Sequence, residues 1–159
     1  CSGKIYQAIE QGSGFFQHGY TYIGHPAACA GSLAVVKAMH ERDLINNVNV
    51  MGGKLRNALE AEFNQHPHIG DIRGRGLFLG LEIVKDRARK EVFDPSLQIN
   101  KNVKKLAFES GLMCYPMGGT IDGRRGDHVL LAPPFIMEEQ HIDEIVGKLS
   151  SAINTSLGA

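Results

Sequence analysis

HGYTYIGHPAACAGS, from His18 to Ser32, is the stretch on which the reading of this chain turns. Aromatic rings alternate with small or polar residues as far as Ile23. A glycine and a His-Pro pair follow, and then the side chains become very small. Proline suits the first position of a helix, where its missing N–H would have had no partner. Ala, Leu, Val and Met carry on to about Met39, so a helix is predicted from Pro26. It is apolar nearly all round, the pattern of a helix buried against close neighbours. Ahead of it lie Gly19, Thr21 and Gly24. Free amides at a helix start, beside glycines and a hydroxyl, make a natural anion site. A plain glycine turn with a cap has the same spacing, so spacing alone leaves both readings open.

Working outward, a short helix is expected around Ile5 to Ile9 in an otherwise irregular start. Downstream, Val48, Met51, Leu55, Leu59 and Phe63 recur every three or four residues, which predicts an amphipathic helix weakened at Gly52-Gly53. NQHPHIGD ends it. Leu77 to Val84 is a short apolar run bounded by glycine, expected as a mostly buried strand. KDRARKEVFDPS reads as an exposed loop, and a helix follows from about Ser96 to Glu109 with Gly111 as its stop. Strands are predicted near Leu112–Pro116 and His128–Pro134, joined by the long polar connection MGGTIDGRRGD. A last helix begins near Glu138. The order is helix, helix, strand, helix, strand, strand, helix, which implies an α+β layer of one sheet covered by helices. The first 40 or so residues fit that layer poorly and read as the end of another domain.

The chain has 159 residues, and its 17 basic side chains balance 17 acidic ones. That composition is globular and gives no electrostatic case for nucleic acid or an anionic membrane. No apolar run approaches the roughly 18 residues that span a bilayer. The start has no signal-peptide core and no initiator Met, which suggests a processed product or a fragment. Three cysteines without CxxC spacing suit a reducing, cytoplasmic setting, with Cys29 and Cys114 as small core residues.

Few side chains announce chemistry. The glycines of RGRGLFLG do not fit GxGxxG and precede a strand rather than follow one, which excludes a dinucleotide loop. The seven histidines lack carboxylate or cysteine companions at ligand spacing, so no metal site is expected. Arg124 and Arg125 stand together in the long connection. Two guanidinium groups can clamp a carboxylate there, or simply be solvated surface. No acid/base pair or nucleophile triad is visible, so no catalytic residue is assigned.

HGYTYIGHPAACA is similar to the HG-aromatic-T-aromatic-x-GHP segment of class III aminotransferases, pyridoxal-phosphate enzymes of the aspartate aminotransferase fold. The likeness continues in register through DIRGRGLFLGLEIV, GLMCYP and VLLAPPFIMEEQHIDEIV, and looks closest to the ω-amino acid and amine:pyruvate transaminases. The resemblance implies that residues 1–42 end the large cofactor-binding domain and that 43–159 form the C-terminal small domain, with a small, mainly antiparallel sheet. It implies pyridoxal 5'-phosphate as cofactor. Thr21 would bind its phosphate in the neighbouring subunit's site, and Tyr20 would help line that site, which makes a homodimer with shared sites. The implied reaction moves an amino group from an amine or ω-amino acid to a keto acid such as pyruvate.

The family's Schiff-base lysine and the aspartate that protonates the pyridine nitrogen belong upstream of the HGYTY block. The chain alone is therefore expected to be inactive. One departure concerns substrate. The arginine that reads an α-carboxylate two residues before the alanine of A-P-P is replaced by Leu130. The alternative position on the preceding strand aligns with Tyr115. Arg124 or Arg125 is the expected substitute. Two other readings stand beside this one: a non-catalytic anion-binding or interaction module, and a decarboxylase or aminomutase of the same fold.

Overall fold

The computed structural model describes residues 1–158. The chain divides into two compact units between Ala38 and Met39. The first holds α1 (Gly3–Gln11), an irregular stretch, and most of α2 (Pro26–Glu41). No residue of either helix is buried. This corrects the expectation that the Pro26 helix is a core helix. Its small apolar side chains mark a surface that needs cover, and nothing among the described residues supplies it. Cys29, expected as a core residue, is exposed for the same reason.

The second unit is a two-layer α/β structure. After α3 (Leu44–Phe63) come β1 (Ile69–Arg75), β2 (Phe78–Ile83), α4 (Ile99–Glu109), β3 (Tyr115–Gly118), β4 (Asp127–Leu131) and α5 (Gln140–Leu157). The sheet order is β1-β2-β4-β3, with every neighbouring pair antiparallel. β2 and β3 therefore run in the same direction. Strands that do so need a crossover connection, and α4 provides it.

Alternation along each strand sends one set of side chains to the core and the other away from it. Leu79, Leu81 and Ile83 of β2 and Val129 and Leu131 of β4 meet Leu55, Leu59 and Phe63 of α3, Val103 of α4, and Leu149 and Ile153 of α5 in one cluster. The apolar spacing of α3 thus reports its sheet-facing stripe, as the sequence predicted. Gly111, in the left-handed region at φ 84°, stands just past the end of α4, as expected of a stop. Asp127 helps to fix α4 from outside. Its buried carboxylate accepts the Asn100 N–H at 3.3 Å, while Gln98, at the helix's own cap position, makes no side-chain cap.

Two elements differ from expectation. β1 falls where the sequence reading placed only a helix end and glycines. It is an edge strand with a register irregularity between Ile69 and Asp71, and just one of its seven residues is fully buried. Such a strand carries little apolar alternation to detect. β3 starts at Tyr115 rather than Leu112.

Candidate functional site

The anion turn lies wholly in the first unit. Residues 21–24 form a turn closed by Ile23 N–H to Tyr20 O at 3.0 Å and His25 N–H to Tyr22 O at 3.1 Å. Gly24, at φ 73°, adopts the left-handed backbone that lets the chain reverse into α2. Pro26 then opens the helix. His25 serves both sides of this junction. Its Nδ1 accepts the Ala28 N–H at 3.4 Å, and its ring sits edge-on to Tyr22 at 6.0 Å.

The amides of Thr21, Tyr22 and Gly24 have no acceptor among the described residues, nor has the Thr21 hydroxyl. Tyr20 and Tyr22 are exposed at 63% and 74%. Donors therefore collect at a helix N-terminus whose dipole favours negative charge. A hydroxyl, free amides and no carboxylate in the turn form a donor set that fits a phosphate group. Thr21 lies in this turn and Tyr20 just ahead of it.

The remaining candidates belong to the second unit. Tyr115 of β3 and Leu130 of β4 are direct cross-strand partners. Positions 15 residues apart thus share one spot on the face turned away from the core, where Tyr115 is exposed and Leu130 half-buried. The connection holding Arg124 and Arg125 is ordered by Asp122. That carboxylate accepts the backbone N–H of Arg124 at 3.0 Å and of Arg125 at 2.8 Å, and the Arg125 Nε at 2.7 Å. The Arg125 guanidinium is thus already engaged, whereas Arg124 makes no ion pair among the described residues.

These bonds, first that from the Arg125 amide, pull the Asp122 pKa down to about 2. A carboxyl depressed below its unfolded value lends stability that is present above the ordinary range near 4 and lost as pH falls through 2. An NMR titration should therefore find the Asp122 carboxyl midpoint near 2, with the loop intact at pH 4. An ordinary carboxylate midpoint would contradict the loop geometry.

Other titratable groups play structural parts. His66 Nε2 bonds Asn154 Oδ1 at 2.9 Å, and the His68 ring sits on the carbonyls of Val84 and Lys85. Burial pushes the Cys114 thiol up to about 11, which keeps it protonated and unreactive at neutral pH. RGRGLFLG forms the end of β1, the turn at Gly76 and Leu77, and the start of β2. Arg73 of β1 and His128 of β4 share the outer face with Tyr115 and Leu130. Strand alternation was the available signal for Arg73, and it was lost with β1.

A family model for Aminotransferase class-III matches residues 1–153. An uncharacterized aminotransferase of Schizosaccharomyces pombe is 44% identical over 156 residues, covering 98% of this chain and 34% of that protein. Among solved structures, an (S)-enantioselective omega-transaminase from Thermomicrobium roseum superposes with a TM-score of 0.83 at 27% identity, over 98% of this chain and 33% of that one. A PLP-bound aminotransferase mutant from Vibrio fluvialis gives 0.81 at 32% identity, over 98% and 32%. The chain spans about a third of the length of the relatives it matches. The four-stranded antiparallel sheet with its helices is thus a part of the transaminase fold, and the chain belongs to the class-III aminotransferase family.

Proposed function

We propose that the full-length protein is a pyridoxal-phosphate-dependent transaminase that passes an amino group from an amine or ω-amino acid to a keto acid such as pyruvate. The observation that carries this reading is the turn from Tyr20 to Pro26. Its unpaired hydroxyl and amides suit a phosphate, and it sits in a chain matched by the family model over residues 1–153. Similarity to a PLP-bound aminotransferase supports the choice of cofactor. When bound, pyridoxal phosphate supplies an electron sink for the carbanion left when a substrate C–H bond breaks. The residues of this chain do other work. The Thr21 hydroxyl and the neighbouring amides donate to the phosphate, and Tyr20 excludes water beside it. Tyr115 lines the substrate side. Arg124 and Arg125 add positive charge from the loop.

The full-length protein is proposed to be a homodimer in which Thr21 and Tyr20 serve the partner's site. The exposure of Phe15, Phe16, Tyr20, Tyr22, Leu33, Val35 and Val36 supports this, because so much apolar surface calls for a cover.

Purified full-length protein should take up pyridoxal phosphate, change its coenzyme spectrum on addition of an amine alone, and recover it on addition of pyruvate. The products should be a carbonyl compound and alanine. Release of carbon dioxide, or an amino group shifted within one molecule, would assign it instead to a decarboxylase or an aminomutase. Failure to bind the coenzyme would favour a non-catalytic module.

A further inference from the structure

A sheet with an unpaired edge offers a row of free backbone groups to any strand that arrives. The two edge strands here are β1 and β3. β3 has only four residues. Alternation carried across the paired strands turns its Pro116 outward, and proline has no N–H to offer. β1 has seven residues and contains no proline. Side chains occupy its edge instead. Arg56 of α3 donates through Nη1 to the Ile72 carbonyl and through Nη2 to the Gly74 carbonyl, each at 3.2 Å. Lys90 donates through Nζ to the Gly70 carbonyl. Every second residue of an antiparallel strand turns its carbonyl away from a given neighbour, so these are the acceptors a further strand would need.

We propose that Arg56 and Lys90 hold shut a self-complementary pairing surface on β1, whose partner, once they are removed, is β1 of a second copy of this chain.

Three observations carry it. First, Gly70-Asp71-Ile72-Arg73-Gly74 complements itself when reversed. Two copies related by a twofold axis at Ile72 would pair antiparallel, with Asp71 of each opposite Arg73 of the other. Opposite charges facing each other across strands favour that register. Both side chains lie on one face, since they bond each other within the chain at 2.8 Å, and both are exposed enough to meet a partner. Glycine at either end leaves the approach clear. Second, the two cations are placed rather than loose. Arg56 has Glu60 Oε1 at 3.0 Å, one helical turn on, yet both of its terminal nitrogens also reach β1 carbonyls. Lys90 has Glu82 Oε2 at 3.5 Å. It reaches the edge from a left-handed backbone at φ 56°, uncommon for a residue with a side chain, in a turn closed by the Asp86–Glu91 bridge. Third, no strand among the described residues pairs with this edge. A hollow of about 240 Å³ lies beside it, lined in part by Gly70, Asp71 and Ile72, so the space a further strand would fill is open.

The test uses the full-length protein and reads mass in solution, so its outcome is separate from the transaminase reading. Light scattering over a range of concentrations should show the parent holding its mass. The double variant Arg56→Met, Lys90→Met should associate into species of at least about twice that mass, more so at higher concentration and reversibly on dilution. Arg56→Lys alone should associate less than Arg56→Met alone, because an ammonium keeps a donor for one carbonyl. Adding Asp71→Lys to the double variant sets like charges opposite each other and should abolish the association. Circular dichroism matching the parent's separates pairing from misfolding. A double variant that keeps the parent's mass at every concentration would overturn the proposal. So would a parent that associates as strongly, or an association that survives Asp71→Lys. If the double variant does not fold, the single Arg56 and Lys90 variants decide by the same measurement.

Discussion

Replacing Thr21 by alanine in the full-length enzyme should weaken coenzyme retention by roughly 10- to 150-fold, the worth of one hydrogen bond to a charged group. The turn explains why one hydroxyl can matter so much. The Tyr20 and Tyr22 carbonyls are spent in closing it, and Gly24 steers the chain into α2. Its remaining donors are the Thr21 hydroxyl, free amides and the start of α2. Main-chain amides survive a substitution by alanine, so the hydroxyl is the donor that Thr21→Ala removes. Thr21→Ser keeps it and should hold coenzyme nearly as well as the parent. Equilibrium dialysis of the two variants against pyridoxal phosphate makes the comparison. Retention unaffected in Thr21→Ala would leave the turn without its proposed ligand.

The second large effect concerns two adjacent glycines that look alike in the sequence. Gly52 and Gly53 both lie inside α3, where glycine costs about 1 kcal/mol relative to alanine. Their surroundings are opposite. A Cβ at Gly52 would come within 2.4 Å of the backbone of Gly76, in the β1–β2 turn. A Cβ at Gly53 meets nothing within 4 Å. Gly52→Ala must therefore push α3 off the hairpin, and should destabilise the protein by about 1–3 kcal/mol, the usual cost of overpacking. Gly53→Ala has only the helix to answer to and should stabilise it by about 1 kcal/mol. Denaturant unfolding of the two full-length variants should separate them in opposite directions. A shift of the same sign in both would show that α3 does not rest on the turn.

These cases mark the limits of the sequence. Local information was enough for the helices, because an apolar residue every third or fourth position needs no knowledge of the partner. The stripe of α3 from Val48 to Phe63, the stop at Gly111 and the strand around Leu79 and Leu81 all appear where that periodicity puts them. Wherever packing overrides periodicity, the reading failed. α2 has the composition of a core helix, but none of its residues is buried in this chain. β1 is short of apolar residues and exists through its pairing with β2.

By itself the sequence determined the chemistry of the turn from His18 to Pro26. Its hydroxyl, glycines and helix start are neighbours along the chain, so their proximity costs no long-range contact. The sequence also determined the family, through four blocks in register. Only the tertiary structure decided that Arg73, Gly80, Leu130 and Tyr115 form one row, and that Gly52 touches Gly76. Apart from Arg73 and Gly80, which meet across one hairpin, those pairs join residues well separated in the chain. Their meeting depends on strand order and register, and both are settled by how the helices and the sheet bury their apolar faces together.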